Sequence, residues 1–565
     1  MPKIRLPLVG ANSQRNPDAY NNTSKDCRYV NCVIKTAPNP ITRKNEFFLE
    51  KRAGVEAIST VDGTNYGCGV LVSGGNRYSV FQTASSGRIF SGTTLIGTTD
   101  SISGTPPQAM GTCQISEVSL AGTAYLFFAH PRQAISPTPQ AVYYLDTTVT
   151  GSTITADTNS NTSLTNASST TNIRVGQKIT GTRIAANTRI TAINGTTLTI
   201  SIAATGSGVG DTITYERVSK ILSANFPTRS TGHIFSLNGR LFALDATNAR
   251  IYQSNFNDPQ TWAADGYTSL DYLADIAVSI KQNGMTCYGF GQNSIEIFQY
   301  AGNASGSQLS RVGVVDNGVP VSSYNPVVTI NGVVYFVGFN GGVYRMSESS
   351  PQKISTPVVD AIMASGVSQS TAQAPYIDCF YYDGRPFLSV TGNNLAQTSN
   401  AVATFTFWYD IELNVWTEQV FTVSAVNRPF RFNSIGELRQ VGCISLGPLG
   451  KTYKLNFNTP VYQDDSNAMT MTAQLGNSDL GDPRRKFFRR AWLVGDTQSA
   501  GTVTLEYSDD DYASWVTAGT FDLTNLGISI NRLGSSGKRA WRLTDSNNQA
   551  ARYQALDLEF DVGTN

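Results

Sequence analysis

Short runs of alternating apolar and polar residues follow one another along most of this chain. Gly, Ser or Asn bounds each run, which is typical of β-strands joined by tight turns. The best helical candidate is the short segment Thr356–Ala364. The pattern predicts an all-β fold, whose first strands after about residue 49 include Tyr66–Val72, Tyr78–Gln82, Arg88–Phe90 and Ala124–Ala129.

A loose repeat runs from about residue 217 to 457, and each copy opens with a glycine-containing turn followed by alternating strands. The turn glycines are 45, 48 and 52 residues apart, at Gly239, Gly284, Gly332 and Gly384. Units of about 40–50 residues with several strands each are typical of propeller blades. We favour a β-propeller over ordinary hairpins in β-sandwiches.

Changes in composition divide the chain into five parts. The first is polar and irregular, so we expect it to be ordered only where it lies against the rest of the protein. The last contains period-2 strands, which indicate a compact sandwich-like domain. In order, the parts are an N-terminal arm or platform part (1–48), first propeller strands (49–146), an inserted small β domain (147–216), the remaining blades (217–457) and a C-terminal β-sandwich-like platform domain (458–565).

The predicted inserted domain is rich in Thr, Ser, Asn and Gly and has no aromatic residue before Tyr215. The sequences before and after it, AVYYLD and HIFSLNGRLFALD, share one aromatic-rich style. Such an insertion suits a loop tip of a rigid scaffold. Asn194-Gly195 predicts a two-residue hairpin within it.

Composition supports this interpretation and limits the function. Among 565 residues, 50 are Gly and only 15% are charged, which argues against a helical bundle. The net charge of +1 gives no reason to expect tight nucleic-acid binding, which uses many Lys and Arg side chains. The start shows no signal peptide, and no apolar run is long enough to span a membrane. The seven scattered cysteines form no CxxC and indicate a protein made in a reducing compartment.

Candidate chemistry is sparse. The two histidines, His130 and His233, are too few for an ordinary zinc or iron site, and no GxSxG motif accompanies them. We therefore predict no catalytic residue, no metal and no cofactor, and hence no enzyme.

One motif, Ser508-Asp-Asp510-Asp-Tyr512-Ala-Ser514-Trp515, resembles the Asp-box hairpin of sialidase-type propellers, with Tyr512 where Gly is usual. We interpret it as a structural turn in which the Asp accepts backbone N–H bonds. Calcium binding by the three aspartates is the less favoured alternative.

The densest positive cluster comprises Arg484, Arg485, Lys486, Arg489 and Arg490. It is either a solvated strand edge, where charges block unwanted pairing, or a subunit or partner interface in which Arg binds carboxylates. A DNA contact ranks third because of the net charge.

Three stretches together resemble the tail hub or nozzle (packaged-DNA stabilisation) proteins of P22-like short-tailed bacteriophages. Their order is more informative than any single motif. KRAG stands where that family often has Lys-Arg-Pro-Gly, which removes a rigid turn. The stretches are IRLPLVGANSQRNPDAYNN through DCRYVNCVIKT and KRAGVEAIS; NGRLFALDATNARIYQSNFNDPQTW, YGFGQNSIEIFQYAGNA and RVGVVDNGV; and RRKFFRRAW, LEYSDDDYASW, RAWRL and LEFDV.

The resemblance implies a propeller with a platform built from both chain ends. It implies a homo-oligomer of six copies in the virion tail, made in the host cytoplasm. Its partners would be the head-completion adaptor above and needle, plug, spike or fibre proteins below, with double-stranded DNA passing transiently. Host-surface glycan recognition is the alternative function, and a propeller hydrolase is a weaker one.

Overall fold

The structure is a computed structural model. It describes the whole chain except for the segments given next. Those segments are residues 1–2, 10–26, 39–44, 61–66, 83–86, 100–113, 130–141, 151, 228–229, 304–305, 322, 324, 348, 368–374, 395–401, 424–425, 429–439, 442–450, 456–460 and 564–565. His130, Cys113 and Cys443 lie outside the described residues.

Six antiparallel four-stranded units follow one another in the described part of the chain. Four of them are separate sheets, and the other two are parts of nine-stranded sheets. We number them blades 1 to 6. Blade 1 is Gly67–Ser73, Asn76–Gln82, Gly87–Ser91 and Thr94–Thr98; blade 2 is Gln114–Leu120, Thr123–Ala129, Val142–Asp146 and the end of Ser207–Lys220; blade 3 is Ser230–Leu237, Arg240–Asp245, Arg250–Ser254 and Trp262–Ser269; blade 4 is Ala277–Asn283, Thr286–Gly291, Ile295–Tyr300 and Leu309–Val315; blade 5 is Val327–Ile330, Val333–Val337, Val343–Ser347 and Ser350–Lys353; blade 6 is Tyr376–Tyr382, Arg385–Asn394, Val402–Asp410 and Val415–Glu418.

A seventh sheet closes the ring. Blade 7 combines Gln440–Val441 and Lys451–Leu455 with Val55–Thr60, which comes from near the other end of the chain. Each pair of neighbouring blades from 1 to 7 shares one cluster of buried apolar side chains. Gln440–Val441 lies against Gly67–Ser73, so blade 7 meets blade 1. The predicted all-β, propeller-like fold is therefore confirmed.

The repeat glycines occupy one equivalent turn in blades 3 to 6, between the first and second strands. All four have positive φ, between 58° and 80°, a conformation that glycine adopts at little cost. Gly75 and Gly122 stand at the same turn in blades 1 and 2, with φ of 76° and 79°. The repeat thus begins earlier than its sequence pattern indicates.

The inserted module lies between the third and fourth strands of blade 2. It has its own aliphatic core, which includes Leu164, Ile179 and Leu198. Asn194 pairs with Thr197, so the predicted hairpin is present with Gly195 and Thr196 as its loop. The module strands are Thr153–Asn159, Ser163–Thr165, Gln177–Gly181, Ile190–Asn194, Thr197–Ile200 and the start of Ser207–Lys220.

Two sheets built from both chain ends pack face to face as a sandwich, the platform. Its first sheet contains Lys3–Pro7, Cys32–Pro38, Asn45–Lys51, Lys486–Gly495, Ile530–Asn531, Ser535–Ser536 and Arg552–Val562. Its second sheet contains Arg28–Val30, Met471–Gln474, Thr502–Ser508, Val516–Asp522 and Ala540–Asp545, and it continues into blade 6.

Residues 1–48, expected to be ordered only where they lie against the rest of the protein, contribute four strands to the platform in their described part. Lys3–Pro7 and Asn45–Lys51 both pair with Arg552–Val562 near the other end of the chain, as in Lys3 opposite Glu559. Cys32–Pro38 pairs locally, with Asn45–Lys51. A pattern confined to the segment does not reveal such distant partners.

The remaining elements are small. The helix Pro357–Val367 matches the helical candidate. Two short hairpins are Phe421–Val423 with Val426–Arg428, and Gln463–Asp464 with Asn467–Ala468. Among the residues the structure describes, no helix has the length and hydrophobicity needed to cross a membrane.

Candidate functional site

Three residues of the positive cluster, Lys486, Arg489 and Arg490, lie on Lys486–Gly495, a strand inside the first platform sheet, and the other two directly precede it. Arg552–Val562 pairs with one side of it, and Ile530–Asn531 and Ser535–Ser536 pair with the other. The interpretation as a strand edge is therefore wrong. The neighbouring strands are distant in sequence, so the local run of charges did not reveal them.

The five basic residues do not form one surface. Lys486 is fully buried, and its ammonium group donates to the carbonyls of Arg484 at 2.9 Å and Gly537 at 3.1 Å. It also donates to the carbonyl of Asp482. Lys486 therefore stabilises a turn inside the platform.

Arg484 and Arg485 make short-range contacts at the start of the strand. The Arg484 guanidinium binds the Asp482 carboxylate, with a shortest N–O distance of 2.7 Å. This bond lowers the pKa of Asp482 to about 2. Arg485 donates to the Ser535 hydroxyl at 3.0 Å.

A β-bulge directs Arg489 and Arg490 to the same side. The register shifts between Phe488 and Arg490, so Arg489 is the extra residue and both arginines are exposed. The Arg489 guanidinium binds Asp561 at 2.8 Å, and Arg490 lies 4.0 Å from Glu559. The two exposed arginines thus meet carboxylates of their own chain.

The adjacent strand Lys3–Pro7 extends this pattern across the sheet. Arg5 makes two hydrogen bonds to Asp557, at 2.8 and 3.1 Å, and the Lys3 ammonium lies 4.3 Å from the centre of the Trp492 ring. We call this outer surface the charged face. It consists of a central acidic strand between two basic ones: Lys3, Arg5, Arg489, Arg490, Asp557, Glu559 and Asp561.

The Asp-box-like segment forms the turn between Thr502–Ser508 and Val516–Asp522. Asp510 accepts hydrogen bonds from the Ser508 hydroxyl at 2.8 Å, the Ser514 backbone N–H at 2.9 Å and the Ser514 hydroxyl. These bonds, the Ser514 hydroxyl first, lower the pKa of Asp510 to about 2. The carboxylate therefore closes the turn.

Tyr512 takes the position where the Asp box has glycine. Its φ is 70°, its ring is buried, and its hydroxyl accepts a hydrogen bond from the Asn477 N–H. Trp515 is half-buried beneath the Arg542 guanidinium, which lies 4.1 Å from the ring centre. The side chains of this turn are therefore engaged in packing.

Asp509 is bound to a buried cation. Arg539 is 1% exposed and donates to both carboxylate oxygens of Asp509 at 2.7 Å. Its guanidinium also lies 3.9 Å from the centre of the Tyr507 ring. Asp509, like Asp510, is thus bound by groups of its own chain. In the described ranges, no three His, Cys, Asp or Glu side chains are grouped so that they could hold a metal ion.

Sequence reasoning missed a buried ionic site that joins propeller and platform. KRAG, residues 51–54, links the platform strand Asn45–Lys51 to the blade 7 strand Val55–Thr60. Arg52 is fully buried and donates to both oxygens of Asp464, at 2.8 and 2.5 Å. Its charge was visible in the sequence, but its partner lies 412 residues away.

Backbone groups complete this joint. Arg52 donates to the carbonyls of Ala53 at 3.0 Å and Val420 at 2.9 Å. Asn31, with φ of 54°, accepts from the Val420 N–H at 2.8 Å and donates to the Thr470 carbonyl at 2.9 Å. Buried charges of this kind are stable only when their hydrogen bonds are made.

The other residues of KRAG are equally constrained. A Cβ atom on Gly54 would lie 2.1 Å from the Gln463 carbonyl oxygen, so only glycine fits without a shift of the backbone. The Ala53 N–H donates to the Tyr382 hydroxyl of blade 6 at 2.8 Å. Proline, common at this place in the family that the sequence resembles, has no N–H to make this bond.

Lys51 forms a second buried ionic contact. Its ammonium lies 3.6 Å from Asp545 and donates to the Asn547 carbonyl at 2.5 Å. Burial lowers the pKa of Lys51, and Asp545 opposes that shift. The Tyr553 hydroxyl donates to the other Asp545 oxygen at 2.7 Å, and burial raises the pKa of Tyr553.

The second platform sheet also reaches the propeller directly. Arg28–Val30 runs parallel to Val415–Glu418 of blade 6, through the pairing of Val30 with Glu418. Arg28 donates twice to the Glu418 carboxylate, at 2.6 and 2.7 Å. The platform and the propeller are thus connected by a shared sheet, by the Arg28–Glu418 ion pair and by the buried joint at Arg52.

No protein-family model and no curated protein matches this chain. Solved structures do match it, at low similarity. The BBS1N structure in complex with ARL6DN has a TM-score of 0.34 and 9% identity, over 73% of this chain and 98% of that one. The computationally designed Ika8 protein has a TM-score of 0.32 and 8% identity, over 72% and 100%.

A third match is an exo-β-1,3-galactanase from Phanerochaete chrysosporium. Its TM-score is 0.24 and its identity 11%, over 79% of this chain and 95% of that one. All three TM-scores are below 0.5, so none of these likenesses carries an argument about function.

Proposed function

We propose that the chain is a structural subunit of the tail of a short-tailed bacteriophage, a ring-forming nozzle or hub. The observation that carries the proposal is the pairing of Lys3–Pro7 with Arg552–Val562 in one platform sheet. Both strands belong to stretches that carry the family resemblance, and that resemblance implies a platform built from the two chain ends.

The proposed role is mechanical and electrostatic. Six copies form a ring below the head-completion adaptor, retain the packaged DNA and form the ejection channel, with needle, plug, spike or fibre proteins beyond. No bond is made or broken in a substrate. The buried joint at Arg52 and the sheet shared with blade 6 support this role, because they resist movement of the platform relative to the propeller.

The charge of the chain supports the proposal that DNA passes through the channel without binding to its wall. The net charge is +1, and the most exposed arginines of the charged face lie against Asp557, Glu559 and Asp561. Phosphate binding requires free cations and releases counterions in proportion to their number. We expect the side chains that face the bore to be mostly acidic or neutral.

Electron microscopy of virions labelled with an antibody against this protein tests the proposal. We expect the label on the tail, directly below the head, and particles made without the protein to lose their DNA. Absence of the protein from purified virions, or a catalytic activity of the purified chain, would contradict the proposal. A reconstruction of the tail with rings of Lys or Arg along the bore would contradict the charge mechanism.

A further inference from the structure

A cleft of about 590 Å³ lies where the inserted module meets blades 2 and 3. Its walls come from three separate parts of the fold: Tyr125 and Tyr144 of blade 2, Arg174 and Ile193 of the module, and residues 258–261 of blade 3. Ligand sites in proteins commonly have volumes of about 300–1,000 Å³ and form between structural units. The size and position of the cleft therefore suit a small ligand.

The side chain of Gln260 links the three parts of the fold that form the cleft. Gln260 donates from its Nε2 to the Tyr144 hydroxyl at 3.0 Å and to the carbonyls of Val175 and Lys220 at 2.9 Å. Its Oε1 accepts from the Leu222 N–H at 3.0 Å. Blade 2, blade 3 and the module are thus fixed together before any ligand arrives, which lowers the entropy lost on binding.

An aromatic ring forms part of the wall. Tyr125 is half-buried, and its ring centre lies 6.0 Å from that of Tyr144 and 6.5 Å from that of Phe127. Within the part of the chain that the structure describes, the Tyr125 hydroxyl has no hydrogen-bond partner. Burial, followed by the charges of Asp146 and Asp258, raises the pKa of Tyr125, so the hydroxyl stays protonated at neutral pH.

Polar groups beside this ring are also available to a ligand. One oxygen of Asp258 accepts from the Gln260 N–H at 2.8 Å, while the other oxygen and the Ser223 hydroxyl have no partner among the described residues. Arg174, in contrast, is bound to the buried Asp146 at 2.9 Å. The uncompensated charge in the cleft is therefore the negative charge of Asp258.

We propose that this cleft binds a neutral oligosaccharide. A sugar ring offers a face of C–H groups, which packs on an aromatic side chain, and hydroxyls that both donate and accept. Tyr125, Ser223 and Asp258 supply partners for those hydroxyls. An anionic sugar is disfavoured because its charge would repel that of Asp258.

The full-length chain is tested with four probes: maltotriose, cellotriose, triacetylchitotriose and the anionic sugar sialyllactose. Saturation-transfer NMR detects binding, and titration calorimetry measures the dissociation constant. We expect at least one neutral trisaccharide to bind and sialyllactose to bind more weakly. Tyr125→Ala should weaken binding by about tenfold or more, because it removes the aromatic ring of the cleft wall on which the sugar packs.

Two further variants separate the ring from the polar groups. Tyr125→Phe keeps the ring and should weaken binding less than Tyr125→Ala. Asp258→Asn keeps an acceptor for the Gln260 N–H and should reduce the preference for neutral over anionic sugar. Tyr272→Ala is the matched control, because Tyr272 is 53% exposed and lies outside the cleft, and it should bind like the unmodified chain.

The proposal would be overturned if no neutral probe bound at about 10 mM, which corresponds to a negligible affinity. It would also be overturned if Tyr125→Ala bound with the same affinity as the unmodified chain at an unchanged melting temperature. Tighter binding of sialyllactose than of the neutral trisaccharides would overturn it as well. The proposal is independent of the tail role. A chain that binds no sugar can still be present in virions, and a chain absent from virions can still bind sugar.

Discussion

Arg52 and Asp464 form a two-hydrogen-bond ion pair with N–O distances of 2.8 and 2.5 Å, although 412 residues separate them. Both side chains are shielded from water, Arg52 fully and Asp464 with 3% exposed. The pair lies between the platform strand Asn45–Lys51 and the blade 7 strand Val55–Thr60. It therefore joins a sheet built from the chain ends to a ring built from the middle of the chain.

Arg52→Ala should lower the free energy of unfolding by about 3–5 kcal/mol, because it leaves a buried carboxylate without its partner. Urea unfolding followed by circular dichroism measures this change. Arg5→Ala is the control, since Arg5 also makes two bonds to an aspartate but its side chain is 58% exposed. The control should cost about 0–1 kcal/mol. Equal losses of unfolding free energy in the two variants would show that the buried Arg52–Asp464 pair contributes no more stability than an exposed ion pair.

Ala53→Pro tests the departure from the Lys-Arg-Pro-Gly pattern. Proline removes the N–H that donates to the Tyr382 hydroxyl at 2.8 Å, so we expect a loss of about 1 kcal/mol. Tyr382→Phe removes the acceptor and should cost a similar amount. In the double variant the two losses should not add, because both remove the same bond. Full additivity in thermal unfolding would contradict this account.

The stability of the platform should fall in acid through Asp510. Its pKa in the folded chain, about 2, is below the ordinary value of 3.8. The folded state therefore binds fewer protons between these values, so the contribution is present above pH 3.8 and is lost as the pH falls toward 2. Melting temperatures of the chain and of Asp510→Asn, measured from pH 5 to pH 2.5, should converge at low pH.

Ser514→Ala is the companion variant, because the Ser514 hydroxyl contributes most to the lowered pKa. It should bring the pKa of Asp510 closer to 3.8 and shift the acid loss to higher pH. A gap between Asp510→Asn and the unmodified chain that stays constant with pH would exclude this carboxylate as the cause.

Charge reversal on the charged face tests its role in assembly. Arg489→Glu with Arg490→Glu places negative charges beside Asp561 and Glu559, and like charges directly opposite on a sheet are destabilising. If the face contacts a neighbouring subunit or the adaptor, ring formation should fail in native mass spectrometry or virion assembly. Arg484→Glu is the control, because Arg484 contacts Asp482 within the same turn.

Restoring the intrachain ion pairs separates an effect on assembly from an effect on the stability of the platform. Adding Glu559→Arg and Asp561→Arg to the double reversal returns opposite charges within the chain but inverts the pattern that the face presents outward. Recovery of the melting temperature without recovery of assembly would support an interface. Recovery of both would mean that the face serves only the stability of the platform.

The sequence alone determined the strands of the propeller and the tight turns between them. Alternating residues and positive-φ glycines act within a few residues of one another, so Gly239, Gly284, Gly332 and Gly384 marked their turns correctly. The helix at Pro357–Val367 and the hairpin after Asn194 followed from equally local signals. The Asp510 turn is also local, because its donors lie within four residues.

The tertiary structure decided how distant segments meet. Lys3–Pro7 is a strand because Arg552–Val562 lies beside it, and the strand carrying Arg489 is interior because three later strands flank it. Arg52 and Gln260 each bind groups from several parts of the chain. Their residue types reveal charge and hydrogen-bonding capacity, but the partners that desolvate and orient them are brought near only by folding, since pairing energies depend on distance and burial in three dimensions.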